Sequence, residues 1–182
     1  FYREAGPKDA PVIVLLHGFP TSSFMFRDLI PRLADRFRVI APDCPGFGFS
    51  SAPAPDAFPY TFDALAVVID SLLESLGIQR YALYMQDYGG PVGFRLALRH
   101  PERVSGLIVQ NAVANLEGFQ ADAAALFGPY WQSRNAETEG AMRRLIAPET
   151  TRFQYEHGAG DRADRVSPDA WHHDQALLDR PG

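Results

Sequence analysis

The chain has 182 residues, of which 46% are hydrophobic and 21% charged, and a formal net charge of -5. This is ordinary globular composition, long enough for one sizeable core, and with no run of lysines or arginines it excludes nucleic acid and anionic membrane surfaces as main partners. The single cysteine, Cys44, cannot form an internal disulfide and no apolar run approaches the roughly 18 residues of a membrane span, so a cytoplasmic protein acting on a small apolar molecule is expected.

Phe1-Tyr2-Arg3 reads as the tail of an early strand, and the absence of an initiator Met points to a trimmed N-terminus. Val12-Ile13-Val14-Leu15-Leu16 is a fully apolar run and Arg38-Val39-Ile40-Ala41 a second. Both predict buried strands, and the amphipathic stretch from Phe24 to Leu33 between them predicts a helix. A loop carrying Pro42, Pro45, Pro53, Pro55 and Pro59 follows. The next helix is expected from about Thr61 to Leu76, with Leu65, Ile69, Leu72, Leu73 and Leu76 on one face and Gly77 as its C-cap. Tyr81 to Gln86 is apolar, aromatic and too short for a helix, so it predicts another buried strand.

That strand runs into Asp87-Tyr88-Gly89-Gly90 and then a helix to about His100. Pro91 suits the first turn of that helix, and Gly89, Gly93 and Ala97 form a small-residue stripe that lets it lie close to a sheet. Val104 to Val109 predicts a further buried strand. Strands alternating with helices mean an α/β class with a mostly parallel sheet. From about Val113 onward apolar strands give way to alanines, aromatics and paired charges at helical spacing. The expected organisation is a core over 1–112 and a helical cap over 113–182.

Parallel sheets hold their ligands at the carboxyl ends of the strands, which is where Asp87 and the loop after Leu16 fall. Asp87 has two readings. It is either the N-cap of the following helix, a role Asp fills well, or a nucleophile held at the positive end of the helix dipole. His17-Gly18-Phe19-Pro20 is likewise either a plain turn or a loop whose Phe19 N–H serves as an oxyanion donor. Asp43-Cys44-Pro45-Gly46-Phe47-Gly48-Phe49-Ser50 is, alone, a tight loop, and the expected role of Cys44 is packing.

Together and in this order, these three pieces resemble the alpha/beta-hydrolase superfamily, more narrowly its epoxide hydrolase and haloalkane dehalogenase branch. The likeness spans Phe1 to Asn111, and the remainder fits more loosely as the helical cap. It implies a doubly wound, mostly parallel sheet with a helical cap, no cofactor, and a small apolar organic substrate. The superfamily's nucleophile elbow usually presents a Ser between glycines. Here Asp87 takes its place, with Phe19 and Tyr88 supplying the oxyanion-hole N–H groups.

A carboxylate attacking an ester carbonyl gives an anhydride, higher in energy than the substrate, whereas attack on saturated carbon gives an ordinary ester. Suitable substrates carry their own leaving group, an epoxide oxygen or a halide, and serine-type esterase chemistry is disfavoured. A dehalogenase would call for Trp after the nucleophile and often Asn after His-Gly. This chain has Tyr88 and Phe19, and His17-Gly18-Phe19-Pro20 matches the epoxide hydrolase form. That branch also needs lid hydroxyls to protonate the epoxide oxygen, for which Tyr130 and Tyr155 are available. With Trp131 and His17 they are the candidate substrate contacts; the alternative is that the lid aromatics, with Phe127 and Phe153, simply pack the lid.

The resemblance also implies a His base and an orienting acid, and no residue matches either. His100 belongs to a helix end, and His157, His172 and His173 are expected in exposed or capping roles. His172-His173-Asp174 does not make a metal site, because adjacent side chains point apart and no second ligand cluster exists. Gln110 and Asn111 stand where some dehalogenases carry the acid. A further strand and helix takes roughly 30 residues, so the chain is expected to be a fragment of a longer hydrolase. The remaining alternative is a non-catalytic protein of the same fold that binds a small apolar ligand.

Overall fold

A computed structural model describes residues 1–180. The described residues divide into two compact units, 1–114 and 115–180.

The first unit is built on five strands, β1 (Tyr2–Ala5), β2 (Val12–Leu16), β3 (Arg38–Pro42), β4 (Tyr81–Gln86) and β5 (Val104–Gln110). Their order in the sheet is β1-β3-β2-β4-β5. β1 runs antiparallel to β3 and every other pairing is parallel. Three helices belong to this unit: α1 (Ile30–Leu33), α2 (Phe62–Ser75) and α3 (Gly89–Arg99). Alternate residues of β2 face opposite ways, as strand geometry requires. Val14 and Leu16 join the larger core with α2 and α3, whereas Ile13 and Leu15 join a smaller one around Phe26 on the other face.

The ends of α2 follow from its sequence. Thr61 accepts the Ala64 N–H at 3.2 Å as N-cap. At the other end Gly77 adopts φ +69°, the Gly77 N–H donates to Glu74 O and the Ile78 N–H to Leu73 O, each at 2.9 Å. This is a Schellman closure, which glycine makes without strain.

Two expectations are corrected. The segment from Phe24 to Leu33 is not one helix but a 3₁₀ turn (Ser23–Phe26) and the single turn of α1. Pro31 lies inside the expected helix, where its ring excludes the carbonyl four residues back and it has no N–H to give. The segment from Val104 to Val109 does form β5, but that strand is exposed rather than buried. Among the described residues it pairs only with β4, and Leu107, Ile108 and Val109 are each nearly half exposed.

The second unit is helical: α4 (Ala121–Gln132), α5 (Ala136–Arg143), α6 (Pro148–Glu156) and α7 (Pro168–Leu178). α5 opens on a capping box, in which the Asn135 side chain accepts from Thr138 N and the Thr138 hydroxyl faces Asn135 N. Among the described residues no helix is long and apolar enough to cross a membrane.

Candidate active site

The strand order fixes where a site can form. From β2 the chain passes to β3 on one side and returns to β4 on the other, so the connections diverge between β2 and β4. Ligands of open parallel sheets bind at such a switch point, beyond the carboxyl ends of the strands. Leu16 is in register with Met85, so the loops beginning at His17 and Asp87 leave the sheet side by side.

Asp87 sits in that crevice with a left-handed backbone, φ 48°. Such a conformation costs a non-glycine residue roughly 1–3 kcal/mol and persists only where its surroundings fix it. Glycines provide the fixing. A Cβ on Gly89 would lie 2.3 Å from the Leu16 carbonyl oxygen, and one on Gly18 would lie 2.3 Å from Asp87 Cβ. A Cβ on Gly93, one turn on, would lie 2.1 Å from Met85 Sδ. The helix and the two loops can close on Asp87 because these positions carry no side chain.

The Asp87 carboxylate does not cap α3. The N-cap is Tyr88, no side chain caps the helix, and Asp87 contributes only its main-chain carbonyl, which accepts the Gly90 N–H at 2.9 Å. Asp87 Oδ1 instead accepts the Phe19 N–H at 2.8 Å, from the loop across the crevice. Oδ2 accepts no hydrogen bond from the described residues and is not sealed from solvent. Tyr88 stands at the helix start, where N–H groups have no intrahelical acceptor. Its ring meets Phe62 edge-on at 5.3 Å, with Phe19 and Phe47 each 6.2 Å away. Burial first, and then the Asp87 charge, push the Tyr88 hydroxyl above its usual pKa of 10.0, so it stays a phenol.

His17 is buried, and both ring nitrogens meet the backbone. Nε2 accepts the Cys44 N–H at 3.1 Å, which leaves the proton on Nδ1, 3.0 Å from Gly18 O. Burial lowers its pKa below 6.5 against the opposing pull of the Gly18 carbonyl, Asp43 and Asp87. The ring, a candidate substrate contact from the sequence, joins the end of β2 to the end of β3. Cys44 is buried as a packing residue, its thiol pushed up to about 12 by burial and by Asp43.

Asp43 is the residue that sequence reasoning passed over. Its Oδ1 accepts the Ser23 N–H at 2.7 Å and its Oδ2 the Phe49 N–H at 2.9 Å, so one carboxylate ties together the loops after β2 and β3. The signal was Gly48, with φ +54°, where a Cβ would lie 2.1 Å from Asp43 Oδ2. A glycine five residues past an acid marked a close backbone approach.

The other predicted contacts lie in the helical unit. Tyr130 is half-buried on α4 with the Arg134 guanidinium 5.4 Å from its ring. Trp131 is 60% exposed and stacks on Phe127 at 5.5 Å. Tyr155 is half-buried on α6, and its hydroxyl donates to Oδ2 of the buried Asp174. The first unit holds two histidines, His17 and His100. His100 caps the far end of α3, with Nε2 3.0 Å from Asp70 Oδ2, so a helix about 16 Å long separates it from the turn at Asp87. Neither is placed to act as a base on Asp87.

A family model for the alpha/beta hydrolase fold matches residues 11–176, and the chain belongs to that family. An uncharacterized hydrolase of Saccharomyces cerevisiae is 43% identical over 185 residues, covering 100% of this chain and 63% of its own length. Haloalkane dehalogenase 2 of Mycobacterium tuberculosis is 45% identical over 101 residues, 56% of this chain and 35% of that protein. Among solved structures, the epoxide hydrolase CorEH matches with a TM-score of 0.79 and 25% identity, over 100% of this chain and 64% of its own. The chain thus spans less than two thirds of the length of these relatives.

Proposed function

We propose that Asp87 is the nucleophile of a hydrolase that forms an alkyl-enzyme ester with a small apolar substrate, with epoxides as the substrate class. The observation that carries this reading is the 2.8 Å hydrogen bond from the Phe19 N–H to Asp87 Oδ1, made by a left-handed residue whose second oxygen is left open. In this account Oδ2 attacks a saturated carbon of the epoxide, the C–O bond of the ring breaks, and a lid hydroxyl gives its proton to the departing oxygen. Oδ1 stays under the Phe19 N–H throughout. When water later adds to the ester carbon, that donor, joined by the Tyr88 N–H, faces the oxyanion; one such donor is worth about 3 kcal/mol.

Residues 113 onward are assigned to the lid over this substrate, with Tyr130 and Trp131 as its contacts. The Tyr155 hydroxyl is directed at Asp174, which leaves Tyr130 as the proton donor and Tyr155 as a lid strut. His17, with both nitrogens engaged, is assigned to the oxyanion loop as its clamp. The cytoplasm is the proposed compartment and small organic molecules the proposed partners. Hydrolysis of the ester requires a histidine base and its acid, and neither histidine of the first unit, His17 or His100, is placed for it.

A halide leaving group is the second reading, supported by the likeness to the Mycobacterium tuberculosis haloalkane dehalogenase. The full-length protein should be incubated with styrene oxide and, separately, with 1-chlorobutane, then digested and weighed by mass spectrometry. The epoxide reading expects styrene oxide mass on the peptide containing Asp87, absent in Asp87→Asn. An adduct from the chloroalkane alone selects the second reading, and no adduct from either leaves a ligand-binding protein of this fold.

A further inference from the structure

The helical unit has a cleft of its own, about 560 Å³ in volume, between α6, the 3₁₀ segment Gly160–Arg165 and α7. That volume falls in the range of small-molecule sites, which pair an apolar wall with a few placed polar groups. Pro148, Val166, Pro168 and the half-buried Trp171 supply the apolar wall. Gln175 fixes the floor. It accepts the Thr151 hydroxyl at 2.7 Å and donates to Ile146 O at 3.1 Å and to Asp179 Oδ1 at 2.8 Å. With its oxygen and both amide protons engaged, Gln175 holds α6 to α7 and keeps the cleft in shape.

The charges around the cleft say what kind of ligand fits. Three carboxylates line it, of Glu149, Glu156 and Asp164, against the one guanidinium of Arg152. Arg152 Nε donates to Glu156 Oε1 at 2.9 Å, which leaves Glu149 and Asp164 without an ion pair among the described residues. Arg162 and Arg165 share a segment with Asp164 but do not line the cleft. Exposed acids alone mark a solvated surface. Here they stand over a formed cleft, beside an indole that already receives a cation: the Arg152 guanidinium lies 5.7 Å from the centroid of the Trp171 ring. That occupant is loosely held, since its side chain is 62% exposed and its ion pair is an i,i+4 pair on the surface of α6, an arrangement that contributes little in water. A cation with an apolar body gains the indole face, the two unpaired carboxylates and the apolar wall together, while Arg152 swings to solvent. A neutral ligand gains the wall alone, and an anion meets uncompensated negative charge.

We propose that this cleft binds a small organic ammonium ion, with its apolar body against Pro148, Val166 and Pro168 and its charged end between the Trp171 ring and the carboxylates of Glu149 and Asp164. The site stands apart from the chemistry assigned to Asp87 and involves no covalent step.

The test is a titration of the full-length protein with phenethylammonium chloride, followed by nuclear magnetic resonance of the ligand and of the Trp171 indole N–H. For a ligand of this size a dissociation constant on the order of 1 mM is expected. The alcohol 2-phenylethanol, which carries the same apolar body without the charge, should bind on the order of 10-fold more weakly. Glu149→Gln combined with Asp164→Asn, both at exposed positions, should weaken the ammonium about 2- to 5-fold, reduce its salt dependence and leave the alcohol unaltered. Arg152→Ala should tighten the ammonium, because no internal cation then competes for the indole. Equal affinity for ammonium and alcohol, unchanged affinity in the double variant, or weaker binding in Arg152→Ala overturns the site. So does binding that persists unaltered in Trp171→Leu, which would place the ligand elsewhere in the protein.

Discussion

Asp43 and Asp87 are both acids just past the carboxyl end of a parallel strand, yet they are held in opposite ways. Asp43 is 3% exposed, and each of its carboxylate oxygens accepts a backbone N–H, from Ser23 and from Phe49. Asp87 accepts one backbone N–H on Oδ1 and leaves Oδ2 open, on a backbone twisted into the left-handed region. A carboxylate with both oxygens bonded into the fold is a tether. One with an oxygen withheld from the fold is equipped for chemistry. The same residue type separates into structure and reactivity by how completely its hydrogen bonds are met.

Substitutions should divide along that line. Asp87→Asn is expected to remove turnover, on the order of 10⁴-fold or more in kcat, while the urea midpoint hardly moves, since the amide oxygen still accepts from Phe19. Asp43→Ala should do the reverse. It strands the Ser23 and Phe49 N–H groups and should cost roughly 3–5 kcal/mol of stability by denaturant titration, with the folded fraction still forming the ester. Loss of ester chemistry without loss of stability in Asp43→Ala would erase the distinction.

The glycines around the elbow sharpen the comparison. Gly89→Ala pushes a Cβ against the backbone oxygen of Leu16 at 2.3 Å and is expected to cost roughly 3 kcal/mol. Gly93→Ala meets the flexible end of Met85 at 2.1 Å, and its better helix propensity offsets part of the strain, so roughly 1 kcal/mol is expected. Equal midpoints for the two would contradict the close approach at Gly89.

The smallest effect belongs to His17. Its native pKa lies below 6.5 because the ring is buried. The unfolded chain therefore takes up a proton below pH 6.5 that the native fold resists, and stability should decline as pH falls through and below that value. His17→Asn should flatten this slope, with its side-chain oxygen accepting from Cys44 without titrating.

Much of the core was legible because its signals are local. The apolar runs at Val12–Leu16 and Tyr81–Gln86 became β2 and β4, and Gly77 closed α2. The sharp turn at Asp87 was legible because a strand precedes it and two glycines follow Tyr88. What escaped depends on residues far apart in sequence. Asp43 ties loops 20 residues apart, and the Tyr155 hydroxyl meets an acid 19 positions away. β5 read as buried because its composition is apolar, and apolar composition does not say whether a strand has a neighbour on its far side. Pro31 was a local signal, and it outweighed the amphipathic pattern around it.

A nucleophilic Asp87 must join covalently to the substrate. The direct measurement is a single turnover of styrene oxide by excess full-length protein in oxygen-18 water, with the oxygen isotope located in both product and enzyme. A covalent ester cleaved at its carbonyl carbon predicts a first product that carries ordinary oxygen and an Asp87 peptide that gains the heavy isotope. Heavy oxygen in the first product with none in Asp87 would mean that water attacks the substrate directly, and would contradict the nucleophile reading.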